Sequence, residues 1–348
     1  MAKANFKLRR RLASLVLAIA LVATLGYVNR VAVRSAFDQL VGNDYLGGGY
    51  SSVLVEVNPG DTGASIAHSL VQMGVVKNYS IFYKLVLAQS PKFYPGTYQL
   101  KLHMSSSAAL SALLNPANSV SAKVTIKEGL RNTEIFSVLS AKTGVAVADF
   151  EAAAKNRSAI GLPSDAVSAE GYLFPATYTF TPKETATEIL KTMVNRMQQE
   201  LDNYGVSNAD RNRVLTLASM IQKEARQTPD FYKVSRVFLN RIKAGMHLQS
   251  DATVSYGVGS NTVNTTVAQR ADPNGYNTYL HPGLPIGPIS APGSLAIDAA
   301  LHPVAGSWLY FCAINLATGE TVFSTTIAEH QKAVAQWRAW MKEHPGYE

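Results

Sequence analysis

The sequence predicts an α+β protein with an N-terminal transmembrane helix, a small α+β subdomain and a larger mixed α/β domain. Three observations carry this expectation. Residues 12–28 hold no charged side chain, and residues 51–118 run strand, helix, helix, strand. Two amphipathic helices, 211–226 and 231–242, then precede a long loop rich in proline and glycine. The 348 residues are 47% hydrophobic and 16% charged, enough for a sizeable core and too apolar for general disorder.

The formal charge of +8 suggests at first a nucleic acid or an anionic surface as partner, but its distribution says otherwise. Seven basic side chains lie in residues 1–34 (Lys3, Lys7, Arg9, Arg10, Arg11, Arg30 and Arg34) and the first acid is Asp38. Setting these seven aside leaves 25 basic against 24 acidic residues, so the body is nearly neutral and no nucleic-acid partner is expected. The 17 uncharged residues 12–28 span roughly 25 Å as a helix, the short end of a membrane crossing. Five basic residues before the segment and two after it predict a cytoplasmic tail (1–11), a single-pass anchor (12–28) and a body on the external face. A cleaved signal peptide is the rival, with Ala18, Ala20 and Ala23 available near a cleavage site. Cys312 is the one cysteine, which excludes an intrachain disulfide framework and a cysteine-based zinc cluster.

Residues 29–50 read as a stalk ending in Gly47-Gly48-Gly49-Tyr50. Residues 51–57, SSVLVEV, alternate and are β-branched, hence a strand. Pro59-Gly60-Asp61 turns the chain into a short helix with Ile66, Leu70 and Val71, closed by Gly74. IFYKLVLAQS is a second helix, YQLKL a strand and SSAALSALL a third helix, broken by Asn115-Pro116. A boundary at 118 separates this module from residues 119–345. There KVTIKEGL reads as a strand and TEIFSVLSAKTG and VADFEAAAKN as helices.

The segment 211–226, RNRVLTLASMIQKEAR, is the most informative. At 100° per residue Glu224 lies about 20° from Leu217, on the stripe shared with Met220 and Ile221. A carboxylate there is desolvated, its pKa rises, and it suits a general acid near neutral pH. The alternative is a Glu at the helix end, paired with Arg226 or Arg241 or simply exposed. Beyond the second helix, residues 246–254 alternate polar and apolar groups, as in a strand with one polar face. Gln249, Ser250, Asp251, Tyr256, Tyr276, Asn277 and Tyr279 supply amides, hydroxyls and aromatic faces around one acid, the composition of a sugar site.

Taken together, several stretches resemble one family. They are Leu217-Ala218-Ser219 to Lys223-Glu224, Arg236-Val237-Phe238-Leu239-Asn240-Arg241, Leu248-Gln249-Ser250-Asp251, Tyr276-Asn277-Thr278-Tyr279, Gly283-Leu284-Pro285 and Ala300-Leu301-His302-Pro303. EGYLFPATY at 170–178 and an ending with Phe311, Phe323, Thr325 and His330 fit as well. Over about residues 50–345 the chain resembles the MltG/YceG-like endolytic murein transglycosylases. The resemblance implies a membrane anchor, a LysM-like subdomain (51–118) and a YceG-like catalytic domain (119–345). It implies cleavage of the β-1,4 bond between N-acetylmuramic acid and N-acetylglucosamine inside glycan strands, leaving 1,6-anhydro ends. The family's catalytic Glu maps onto Glu224. Departures are Gln222 where an acid is common, Ala252 where proline is usual and Ile286 where a second proline is frequent.

That chemistry agrees with the residues. Glycosidases that hydrolyse need two carboxylates, whereas a lytic enzyme manages with one because the substrate's own 6-hydroxyl attacks. No cofactor or metal is expected: the seven His are scattered and no HExxH occurs. Glu170, which begins a short apolar, aromatic strand near a proline, is either a second acid or a structural or substrate-orienting group, and Asp251 either caps a turn or bonds sugar. Asn240 joins them as a substrate-binding candidate through the family motif. No GxSxG accompanies Ser219 or Ser250, which argues against a serine hydrolase. Expected partners are peptidoglycan strands, the membrane and peptidoglycan synthases. A tethered glycan-binding scaffold and a two-carboxylate hydrolase are the competing functions.

Overall fold

A computed structural model describes residue 34, residues 37–262 and residues 264–346. The expected anchor at 12–28 lies outside the described residues, and among those described no helix is long and apolar enough to cross a membrane. The chain divides into two compact units, the first ending at Ala122 and the second beginning at Lys123.

In the first unit β1 (Gly48–Val57) pairs antiparallel with β2 (Gly96–Met104), and α1 (Gly63–Gln72) and α2 (Tyr79–Gln89) fill the connection. This is the strand, helix, helix, strand order expected from the alternation of residues 51–57. Each helix starts on a side-chain cap: Thr62 with Ser65 boxes α1, Asn78 caps α2 and Ser105 caps α3 (Ser106–Leu114). Val55, Leu70, Phe82, Leu100 and Leu110 form the core.

The expected stalk is partly built into this unit. Asp44 is buried and accepts from the backbone N–H of Ser106 at 2.9 Å and from its hydroxyl at 3.0 Å. A carboxylate on the first turn of α3 satisfies donors that the helix itself cannot. Tyr45 stacks on His103 with ring centroids 4.2 Å apart.

The second unit is mainly helical. Its strands form two separate two-stranded pieces, β3 (Ala122–Thr125) with β4 (Thr177–Phe180) and β5 (Tyr310–Asn315) with β6 (Glu320–Ser324). Between them run α4 (Asn132–Thr143), α5 (Val147–Lys155), α6 (Ala186–Asn203), α7 (Arg211–Glu224), α8 (Thr228–Lys243), α9 (Asp251–Gly257), α10 (Val267–Arg270) and α11 (Ser294–Leu301). The helix α12 (Ile327–Glu343) packs on β5 and β6.

The central element is α7. Residues 214–221 are buried without interruption, so this helix is enclosed on every face rather than along one stripe, with α8, α9 and α11 packed around it. It ends at Glu224, because Ala225 turns to extended backbone.

Two local expectations change. Residues 246–254 are not a strand: Gln249 adopts a left-handed backbone at φ +50° and Asp251 opens α9. The left-handed residue breaks the pleat, and Ser250 turns the chain into the helix, its carbonyl accepting from the Thr253 hydroxyl at 2.7 Å. Nor does a strand begin at Glu170. That segment is a turn with Gly171 at φ +77°, and β4 starts only at Thr177. A Cβ at Gly171 would fall 2.3 Å from the ring of Pro288, so close packing as well as φ requires glycine.

Candidate active site

A cleft of about 580 Å³ opens in the second unit. Glu224, from the end of α7, is half-buried in its wall. The start of α9 lies opposite, and the Ser250 hydroxyl donates to Glu224 Oε1 at 2.6 Å. Burial pushes the Glu224 carboxyl above the usual carboxylate range, and the charge of Asp251 pushes the same way. The Ser250 hydrogen bond and the cations Arg241 and Lys223 pull against this without reversing it. The C-terminal end of α7 also disfavours a negative charge at this position.

Ser250 is itself fixed. Its N–H donates to Thr278 Oγ1 at 3.1 Å, and the N–H of Gln249 donates to the Thr278 carbonyl at 3.1 Å. Asp251 lines the cleft and accepts from Tyr279 Oη at 3.0 Å and from the Thr265 hydroxyl. Arg241 reaches the cleft from α8; its Nε donates to the Leu309 carbonyl at 2.6 Å and its Nη1 to the Leu248 carbonyl at 2.8 Å. It thereby ties β5 and the segment before α9 to the acid.

The loop rich in proline and glycine is pinned by polar groups of α7. Ile289 N–H donates to Ser219 Oγ at 3.0 Å and Gly293 N–H to Gln222 Oε1 at 3.0 Å. Gln222, where the family resemblance leads one to expect an acid, thus holds the loop.

Of the residues expected to bind substrate, the cleft brings together Gln249, Ser250, Asp251 and Tyr279 with Glu224. The others stand behind its walls. Asn240 Nδ2 donates to the carbonyls of Gly306 at 3.1 Å and Trp308 at 2.9 Å. Asn277 is fully buried; its Nδ2 donates to the carbonyls of Arg270 and Asp272, and its Oδ1 accepts from Tyr279 N–H at 3.0 Å. The donors of both amides are thus spent on loop backbone.

Glu170 is 3% exposed and is not a cleft residue. Both its oxygens accept from Asn132 N–H at the start of α4, each at 3.2 Å, and Tyr256 Oη donates to Oε2 at 3.2 Å. Burial raises its pKa to about 7, although these hydrogen bonds and Arg131 pull it down. Tyr256 meets Tyr276 edge-on, 4.7 Å between centroids, and the Arg131 guanidinium sits 5.3 Å from the Tyr256 ring centre. Glu170, Tyr256 and Tyr276 therefore stand behind Arg131, which is the one of the four that lines the cleft.

Arg131, Lys223, Arg226, Asn261 and Thr262 also line the cleft and were not singled out from the sequence as site residues. Lys223 and Arg226 come with Glu224 at the end of α7, whereas Arg131 is brought in by long-range contacts that no local pattern marks. Arg131 Nη1, for example, donates to the Ser260 carbonyl at 2.6 Å.

The chain is similar to several known proteins. The YceG-like family model matches residues 55–336. An endolytic murein transglycosylase of Bacillus subtilis is 31% identical over 305 residues, covering 81% of this chain and 84% of the relative. One from Streptococcus pneumoniae is 32% identical over 176 residues, covering 48% of this chain and 32% of that protein. The crystal structure of a yceG-like protein from Listeria monocytogenes superposes with a TM-score of 0.54 at 31% identity, covering 81% of this chain and 99% of that one. The chain belongs to the YceG-like family.

Proposed function

We propose that the protein is a peptidoglycan lytic transglycosylase that cuts the β-1,4 bond between N-acetylmuramic acid and N-acetylglucosamine within glycan strands. The similarity to relatives named endolytic murein transglycosylase supports the reaction class. The observation that carries the mechanism is one carboxyl, Glu224, whose pKa is raised by burial in the wall of an open cleft and which Ser250 orients. Glu224 gives its proton to the bridging oxygen as the bond from C1 breaks. The resulting carboxylate then takes the proton of the muramyl 6-hydroxyl while that oxygen closes on C1, giving the 1,6-anhydro end and regenerating the acid. No water enters and the atoms balance.

A hydrolytic route through Glu170 has little support, because that carboxyl is buried behind Tyr256. Asp251 is the other carboxylate of the cleft, and two hydroxyls already bond its Oδ1. We further infer an uncleaved anchor at 12–28 with the N-terminus cytoplasmic and the catalytic unit outside. A first unit with a LysM-like role would position strands, and synthases that supply the nascent strands would be neighbours. Digestion of purified peptidoglycan followed by mass analysis of the new ends tests the reaction. Anhydro ends, lighter by one water than reducing ends, are expected; reducing ends as the primary product would refute the lytic mechanism. Glycan binding by Glu224→Gln with cleavage unchanged would refute the role of Glu224.

A further inference from the structure

The near-neutral body conceals a locally cationic cleft. Arg131, Lys223, Arg226 and Arg241 line it against two carboxylates, Glu224 and Asp251. Cationic side chains thus outnumber carboxyls there by two to one, and burial raises the pKa of one of the carboxyls, Glu224.

Among the described residues none of these cations makes an ion pair within 4 Å, although Glu170 lies near Arg131 and Glu224 near Lys223 and Arg241. The ion pairs among the described residues involve Arg196, Arg211, Arg213 and His302. Lys223 Nζ donates to the Gly129 carbonyl at 3.4 Å, Arg226 Nη1 to the Leu316 carbonyl at 2.9 Å, and Arg131 Nη1 to the Ser260 carbonyl and to Asn261 Oδ1 at 3.0 Å. These neutral contacts hold each stem in place and leave most N–H donors of each head group unused. Arg241 differs: it is spent on two carbonyls beside the acid. Lys223 and Arg131 both adjoin the turn at 129–131, and Arg226 follows Lys223 by three residues at the end of α7.

An uncharged sugar backbone does not call for this. Hydroxyl and acetamide groups are met by amides and hydroxyls, which Gln249, Ser250, Asn261 and Thr262 already supply. Clustered cations beside an acid that must stay protonated even work against the chemistry, since Lys223 lowers the Glu224 pKa. A bound anion would offset that opposition.

We propose that Arg131, Lys223 and Arg226 form an anion subsite next to Glu224, which takes the free carboxylates of peptide stems carried on the muramyl residues of the strand being cut. The inference rests on the transglycosylase reading. Guanidinium groups fit carboxylate and phosphate alike, so the shared chemistry is an anionic oxygen pair. Stems bring carboxylates to every muramyl residue along a strand, whereas the diphosphate of a lipid-linked strand sits at one end. A cleft that cuts inside strands meets the stems.

The test compares initial cleavage rates of the full-length protein on three glycan preparations free of lipid carrier. One bears intact stems, one has the stems stripped from the lactyl group, and one has the stem carboxylates converted to amides. Intact stems are expected to be cleaved about fivefold faster than either of the others, as suits exposed charge pairs, with the advantage shrinking as salt rises. A folded Lys223→Met/Arg226→Gln double variant should bring the ratio of intact to amidated rates close to one. If that variant does not fold, the three-substrate comparison on the unmodified protein still decides. Equal rates on intact and amidated stems would overturn the subsite while leaving the transglycosylase reading in place. So would a preference for added lipid-diphosphate strands that persists with amidated stems, because the cations would then be reading phosphate. Failure to release anhydro ends from any of the three would remove the functional reading and the subsite with it.

Discussion

The hydroxyl of Ser250 donates to Glu224 Oε1 at 2.6 Å, joining the end of the most enclosed helix to the start of α9. Among the described residues no hydrogen bond to Oε2 is seen, so in the proposed mechanism it is that oxygen which would carry the proton toward a substrate. The bond favours the ionised carboxyl and Asp251 the neutral one, so the two neighbours tune Glu224 in opposite directions.

Activity that needs a protonated Glu224 falls as pH rises through its pKa. Ser250→Ala removes a stabiliser of the carboxylate, so the alkaline limb of the kcat profile should move up, by about one pH unit. Asp251→Asn removes a nearby negative charge and should move that limb down. Profiles that shift in the same direction would contradict this tuning.

Glu224→Gln should reduce cleavage by about a thousandfold or more. Its effect on stability has a definite sign. The folded-state pKa of Glu224 is raised, so burying it is harmless below the unfolded value of about 4.3 and costs stability as pH climbs toward the folded value. Thermal melts of the variant should therefore match the unmodified protein near pH 4 and exceed it at pH 8. A lower Tm at pH 8 would show the carboxylate to be stabilising.

The first unit was readable from sequence because its signals are local: alternation in residues 51–57, the turn at Pro59-Gly60-Asp61 and the break at Pro116. Helical phase sets Glu224 beside an apolar stripe, but with residues 214–221 buried on all faces phase does not single it out, and it is the family motif that does. The start of α9 was not, because alternation over a few residues fits a strand or a helix start, and the left-handed Gln249 has no sequence signal of its own. Asn240 and Asn277 show a different limit. An amide suits a sugar and a loop carbonyl equally well, and only the path of the 270–310 backbone decides between them. Arg131 reaches the cleft through tertiary contacts that local periodicity does not encode.

Asn277→Ala should unfold the loop that carries Thr278 and Tyr279. It removes two donated bonds and one accepted bond at a fully buried position. Leaving those backbone groups unpaired costs on the order of 2–3 kcal/mol. Denaturant melts should show that loss, and cleavage should fall with it because Thr278 anchors Ser250. Asn277→Asp keeps the acceptor for Tyr279 N–H but sets a carboxylate against two carbonyls, and should be no better.

Glu170 offers a test of burial without touching the cleft. Its pKa rises from 4.5 to about 7 because its carboxyl is desolvated. The unfolded chain releases that proton near pH 4.5 and the folded chain near 7, so stability from this group is complete below 4.5 and is lost progressively up to about pH 7. The loss amounts to roughly 3 kcal/mol at 1.36 kcal/mol per unit. Glu170→Gln keeps an acceptor for Asn132 N–H and offers a donor to the Tyr256 oxygen, while removing the titration. Its melting temperature should stay flatter than that of the unmodified protein between pH 5 and 7. Glu170→Ala instead strands the Asn132 N–H and the Tyr256 hydroxyl, and should lower stability at every pH. If Glu170→Gln retained the full pH slope, the titrating group would lie elsewhere. If it lost activity with an unchanged melt, Glu170 would have to act on substrate through Tyr256 and Arg131 rather than as a support for α4.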